Sequence, residues 1–165
     1  MEMVSPGLNR LWRPVAAVKP TVTKRNPLEL TKTPPRRPLP LITEMNQHFW
    51  RGGEDGRLHV LRCEACGYWI HPYAGRCPQC HSDQIAPQPV SGRGSVVGFT
   101  VNHQPWVPGV KVPYVVAIVE LEEQANVRLM TNLPRTPIEA VRVGLPVKVF
   151  FEQDGQIYLP LFEAV

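Results

Sequence analysis

The 165-residue sequence contains no apolar run approaching the roughly 18 residues of a helical membrane span, and this excludes that class of protein. Its N-terminus lacks the apolar core of a secretory signal, which points to the cytoplasm. It also lacks the common catalytic and nucleotide-binding fingerprints. There is no G-x-S-x-G, no G-x-x-x-x-G-K-[ST], and no G-x-G-x-x-G that opens a helix. No nucleophile–base constellation of the kind needed for covalent catalysis can be assembled. Long helices are disfavoured as well, because 19 prolines and 12 glycines interrupt the chain. Short strands joined by many turns remain.

Cysteine is missing everywhere except between positions 63 and 80. There all four lie in two tight pairs, Cys63-Glu-Ala-Cys66-Gly and, ten residues later, Cys77-Pro-Gln-Cys80. Two such knuckles can set four thiolates around one metal ion at tetrahedral angles. The tight pairing and the missing secretory signal favour metal over two disulfides. Gly67, directly after Cys66, permits the turn in which amide groups point back at sulfur. His71 and His81 are possible donors but are surplus to four thiolates. A closed four-thiolate set without an open position is expected to be one structural zinc. The alternative is iron in a rubredoxin-like electron carrier, which uses the same ligands.

Charge is unevenly distributed. Residues 1–40 hold eight Lys/Arg (Arg10, Arg13, Lys19, Lys24, Arg25, Lys32, Arg36, Arg37) against two Glu, a balance of +6. The rest holds ten basic and twelve acidic residues, a balance of −2. Eight prolines fall in the first 40 residues, and Thr33-Pro-Pro-Arg-Arg-Pro-Leu-Pro40 is low in complexity. Residues 1–41 therefore read as an extended basic arm, with Leu11-Trp12 as a candidate anchor.

Along the remaining chain, Ile42–Trp50 reads as a short helix capped by Thr43. Ile42, Met45 and Phe49 share one face, and Gly52-Gly53 ends it. Residues 42–57 form this helical region, 58–82 the ribbon and 83–165 a β domain. Ribbon strands are expected at Leu58–Leu61 and Tyr68–Ile70, followed by a linker over Ser82–Pro89. Five further strands are expected at Arg93–Asn102, Tyr114–Leu121, Val127–Thr131, Val147–Glu152 and Gln156–Leu161. Val97, Phe99 and Val101 alternate in the first, and the second is apolar on both faces. Asp154-Gly155 marks the last hairpin. Thr136-Pro137-Ile138-Glu139 opens a helix of about two turns that Gly144 closes. Five strands with a short helix between the third and fourth is the order of an OB barrel. The fold class is mainly β: short N-terminal helix, rubredoxin-like zinc ribbon, five-stranded OB-fold.

The order helix, ribbon and barrel resembles the OB-fold, acyl-CoA-associated zinc-ribbon family, known as domain of unknown function 35. The matching stretches are Phe49-Trp50, Arg62-Cys63-Glu-Ala-Cys66-Gly67, Cys77-Pro-Gln-Cys80, Ser91-Gly92-Arg93-Gly94-Ser95-Val96, Pro113-Tyr114-Val115-Val116-Ala117 and Val119-Glu120-Leu121-Glu122. The sequence departs from the family at Glu122–Val127, where the turn is longer and lacks a glycine. The resemblance implies a non-catalytic accessory subunit. Its partner would be a thiolase-fold enzyme: a thiolase, an acyltransferase or a lipid-transfer-protein-like aldolase. It also implies a hetero-oligomer, such as two-plus-two, that shares an acyl-CoA channel in lipid or steroid metabolism. The candidate partner or acyl-CoA contacts are Phe49, Trp50, Arg93, Phe99, His103, Trp106, Tyr114 and Arg128, with Arg93 and Arg128 facing CoA phosphates. The competing class is a single-stranded nucleic-acid binder, which OB barrels with basic grooves and stacked aromatics also form. The acidic balance of residues 41–165 opposes it.

Overall fold

The computed structural model describes residues 38–106 and 109–165. All but the last four positions of the basic arm, Leu11-Trp12 included, lie outside the described residues. Helix α1 covers only Gln47–Arg51, and one 3-10 turn, Gly52–Glu54, continues it. It is shorter than expected because Thr43, the expected cap, lies in a turn ahead of it and does not cap it. The Asn46 Oδ1 instead accepts the Thr43 N–H at 2.7 Å, which holds residues 43–46 in a separate turn. Met45 is consequently exposed, and Phe49 alone of the expected face is buried. Gly53 carries the chain so close to the barrel that a Cβ there would stand 2.4 Å from the Tyr158 Cβ.

Three strands form the first sheet in the order β2-β1-β3: β1 Leu58–Cys63, β2 Trp69–Ile70 and β3 Ile85–Val90. Strand β3 corrects the linker expected over Ser82–Pro89. It pairs with all of β1, from Leu58 opposite Val90 to Cys63 opposite Ile85. This strand contains Pro87 and Pro89. Both are tolerated because the Gln84 carbonyl accepts the Glu64 N–H at 2.9 Å. That fixes the even-numbered residues toward β1 and turns 85, 87 and 89 outward, where no ladder hydrogen bond is lost.

The second sheet has the order β6-β5-β4-β7-β8, with β4 Arg93–Asn102, β5 Tyr114–Leu121, β6 Arg128–Asn132, β7 Pro146–Asp154 and β8 Ile157–Ala164. These are the five expected strands, and the β7–β8 turn falls at Gly155-Gln156, with Gly155 at φ +62°. The sheet curls until β6 meets β8, and the buried Thr131 hydroxyl donates to the Pro160 carbonyl at 2.9 Å across that closure. A bulge between Val96 and Gly98 shifts the phase of β4. Val96, and not Val97, therefore points into the core with the inward side chains of β5. The core joins Phe49, Leu58 and Val60 to Val96, Val115, Val119, Leu129, Val147 and Phe162. Helix, barrel and the first half of β1 thus share one apolar interior, in which each large buried side chain contributes about 1.5–3 kcal/mol.

The helix expected before β7 is a single 3-10 turn, Ile138–Ala140. Thr136 does not cap it. Its Oγ1 accepts the Ala164 N–H of β8 at 3.0 Å, and Val141 returns to an extended conformation. No helix among the described residues is long and apolar enough to cross a membrane.

Candidate metal centre and contact surfaces

The two knuckles are copies of one turn. Cys63 donates its N–H to the Tyr68 carbonyl and accepts the Gly67 N–H, at 2.9 and 2.8 Å. Cys77 donates to the Ser82 carbonyl and accepts the His81 N–H, at 2.8 and 2.9 Å. The fourth residue after each leading cysteine has positive φ: Gly67 at +77° and His81 at +61°. Glycine takes that conformation freely, whereas His81 takes it against the preference of an L-residue.

This duplication brings all four sulfurs within 4.8 Å of one another. Cys63 to Cys80 and Cys66 to Cys77 are both 3.6 Å apart, and all four cysteines are unbridged. Bonds of about 2.3 Å to one ion give tetrahedral edges of about 3.8 Å, so the donor set fits zinc. Cys63 and Cys77 are buried, while Cys66 and Cys80 face outward.

The ionisation pattern agrees. Burial opposes the Cys63 thiolate, but amide hydrogen bonds from Cys66 and Ala65, with help from the Cys80 and Cys66 side chains, draw it down to about 7. The Tyr68 amide favours the Cys66 thiolate, yet burial and the three other sulfurs push that thiol up to about 12. Cys80 accepts the Ser82 amide and is also raised, by burial and by the Cys63 and Cys77 sulfurs. Four mutually repelling thiolates ionise together only around a cation, and a bound zinc supplies that charge.

Other side chains brace the knuckles. Arg62 donates to the Gly67 carbonyl at 3.0 Å and sits 5.0 Å over the Trp69 ring. Gln124, from the turn between β5 and β6, pairs with Trp69 as a strand would. Its Oε1 accepts the Trp69 N–H at 2.9 Å and its Nε2 donates to the Trp69 carbonyl at 3.1 Å. Beside it, Glu123 Oε1 accepts the Ser91 N–H at 2.5 Å. The long turn thus ties the barrel to the ribbon, and Asn126 at φ +70° serves where a glycine was missed. Nothing in the spacing of the sequence signalled Gln124.

The expected contact residues separate into several places. Phe49 is buried, stacked on His71 at 4.9 Å and edge-on to Trp50 at 4.8 Å, so both aromatics pack the helix between ribbon and barrel. His71 is itself held neutral, its pKa lowered to about 4 by burial and then by His48. Arg128 is ion-paired with Glu120 at 2.9 Å. Glu120 is held below the ordinary carboxylate range, first by the Asn126 N–H and then by Arg128. Arg93 is exposed, opposite Lys148 on the neighbouring strand β7. Phe99 is 41% exposed, beyond the stretch where β7 pairs with β4. His103 is exposed on the following loop. Trp106 and Tyr114 meet at Asn102. Its Oδ1 accepts the Trp106 Nε1–H and the Gln104 N–H, both at 3.2 Å, and its Nδ2 donates to the Tyr114 hydroxyl.

Residues 50–86 match the family described as ChsH2, rubredoxin-like zinc ribbon domain. Residues 87–152 match that described as ChsH2, C-terminal OB-fold domain. The chain is 36% identical over 137 residues to a probable enoyl-CoA hydratase alpha subunit of Thermomonospora curvata. It is 39% identical over 103 residues to a 3-oxo-4,17-pregnadiene-20-carboxyl-CoA hydratase alpha subunit of Mycobacterium tuberculosis. These alignments cover 81% and 62% of this chain but only 42% and 32% of the two subunits, so the chain spans less than half of either. It is 33% identical over 100 residues to a DUF35 domain-containing scaffold protein of Methanocaldococcus jannaschii, covering 58% of this chain and 70% of that protein. The solved structure of an Ltp2-ChsH2(DUF35) aldolase superposes with a TM-score of 0.69 at 34% identity, over 76% of this chain and 98% of that one. The ribbon is accordingly a zinc ribbon with one structural zinc as its cofactor. By its two domains, its scaffold relative and the solved chain it covers, the protein belongs to the DUF35 family of ChsH2-type zinc-ribbon and OB-fold proteins.

Proposed function

We propose that this chain is a non-catalytic accessory subunit of a thiolase-fold enzyme, and that it helps to form the channel for that enzyme's acyl-CoA. The observation that carries the reading is the likeness to the DUF35 chain of an aldolase assembled from Ltp2 and ChsH2. The scaffold relatives support it, and so does a metal centre whose four donors leave no open position for substrate. In this reading Cys63, Cys66, Cys77 and Cys80 hold the zinc, which fixes the ribbon against α1 and the barrel. Residues 58–82 are the ribbon and 83–165 the barrel in this reading, and the basic arm, residues 1–41, is a separate segment. A steroid or other bulky acyl-CoA is the substrate class, by analogy with the M. tuberculosis hydratase subunit.

Co-expression with the thiolase-like protein encoded nearest to it tests the proposal. A co-purifying complex, with two copies of each chain, whose acyl-CoA turnover exceeds that of the enzyme alone is expected. Failure to co-purify, together with unchanged turnover, would reject it. Metal analysis of the natively purified chain is expected to give one zinc and no visible absorption. A coloured iron protein would favour the electron-carrier alternative instead.

A further inference from the structure

We propose that the outward face of strands β4, β5 and β6, together with Trp106, is the surface that docks on the partner enzyme. This rests on the accessory-subunit reading and adds which face performs it. The argument begins with register. Along β5, residues 115, 117, 119 and 121 are buried, so Tyr114, Val116, Ile118 and Glu120 face outward. Ile118 stands between Gly98 on β4 and Met130 on β6, and Val116 stands between Thr100 and Asn132. From Tyr114 to Met130 this face carries no charged side chain. At the far end the acid Glu120 and the cation Arg128 pair with each other, and Arg93, two residues before Ser95 on β4, is a further exposed cation. A solvated sheet face ordinarily carries charge at alternate positions. Here Met130 is 77% and Ile118 39% exposed instead.

Trp106 extends the same face. The residue is 75% exposed, yet its indole N–H is satisfied by Asn102, which also bonds Tyr114. The polar end is fixed and the apolar ring is presented, so less freedom is lost on contact. An exposed tryptophan held in this way has the character of an interface anchor.

Charge decides what covers the face. The basic arm finds no free carboxylate here, because Glu120 is taken by Arg128. A nucleic acid finds no cation between Tyr114 and Met130 and a single exposed one, Arg93, at the far end, too little for the phosphate contacts that carry such binding. An uncharged, apolar protein surface is what fits, and the partner enzyme is the protein the family relationship supplies.

The test measures affinity for the co-expressed thiolase-like enzyme at two salt concentrations, with zinc content and thermal midpoint as folding controls. Met130→Glu places a charge in the contact and is expected to weaken binding about 30-fold or more, and Trp106→Ala about 10-fold or more. Glu152→Lys, on exposed β7, is expected to leave it unchanged. If the wild type binds and both face variants bind equally well, the surface assignment is overturned while the accessory role stands. If the wild type does not bind, both fall. A wild-type homodimer that Met130→Glu separates would make the occupant a second copy. Single-stranded DNA binding lost in that variant would make it a nucleic acid. Either result overturns the proposal.

Discussion

His81 shows how the backbone taxes a single residue. It occupies, at φ +61°, the position that Gly67 fills in the sister knuckle. Replacing it with glycine relieves a conformational cost of about 1–2 kcal/mol, less the extra entropy that glycine loses on folding. His81→Gly is therefore expected to bind zinc as tightly as the wild type and to unfold no earlier, as read by competition with a chelator and by thermal melting. Gln124 is the opposite case. Gln124→Ala removes two hydrogen bonds at the ribbon junction and leaves the Trp69 amide unpaired, at a cost of about 1–3 kcal/mol in denaturant. Gln124→Glu, which keeps the acceptor and loses the donor, is expected to fall between. His71 adds a pH dependence. Its folded pKa of about 4 lies below the unfolded value of 6.5. The unfolded chain therefore binds the extra proton between those values. Stability at neutral pH is retained above about 6.5 and lost as pH falls toward 4. His71→Phe, which keeps the stack on Phe49, is expected to flatten that acid limb of the denaturation midpoint.

At the scale of the element, the strands were legible because their alternation is a local property of the sequence. Tyr114–Leu121 has the bounds its apolar run predicts. Misreadings arose where a side chain or a bulge found a partner distant in sequence. The hydroxyl of Thr136 serves β8 and not a helix, so the helix shrinks to one turn. The bulge after Val96 breaks the phase that joined Val97 to Phe99 and Val101. The four cysteines were readable from spacing alone, but the residues joining ribbon to barrel were not, since Gln124 is 55 positions from Trp69. Gly94 belongs to this scale too. A Cβ there would stand 2.3 Å from the Glu120 carbonyl oxygen on the adjacent strand. Gly94→Ala is expected to force β4 and β5 apart and to lower stability by about 1–3 kcal/mol or more, measured by urea unfolding. Cross-strand proximity of this kind has no signature in a window of neighbouring residues.

For the molecule as a whole, the zinc holds shape. The ribbon's own cluster is small (Leu61, Cys63, Ile70 and Cys77), while Leu58 and Val60 of the same strand lie in the barrel core. Metal removal is therefore expected to loosen the second sheet as well as the first. Chelation under denaturing competition should shift amide exchange at β1 and at the Trp69–Gln124 junction before it reaches β7 and β8. Exchange confined to residues 63–82 would show the ribbon to be energetically separate.

Both borders of the three-stranded sheet are closed, each by different chemistry. On β3 the outward positions include two imino acids that cannot donate, and on β2 a carboxamide already satisfies the outward amide and carbonyl. An added strand therefore meets an interrupted ladder at either border, with Ile85 the one outward position of β3 that keeps an amide donor, and edge-to-edge growth into filaments is disfavoured. Replacing Pro87 and Pro89 with threonine would reopen one border. The expected result is concentration-dependent light scattering from otherwise folded, zinc-loaded protein. For this sheet, association is left to its broad sides, where a partner is chosen by its surface and not by any passing strand.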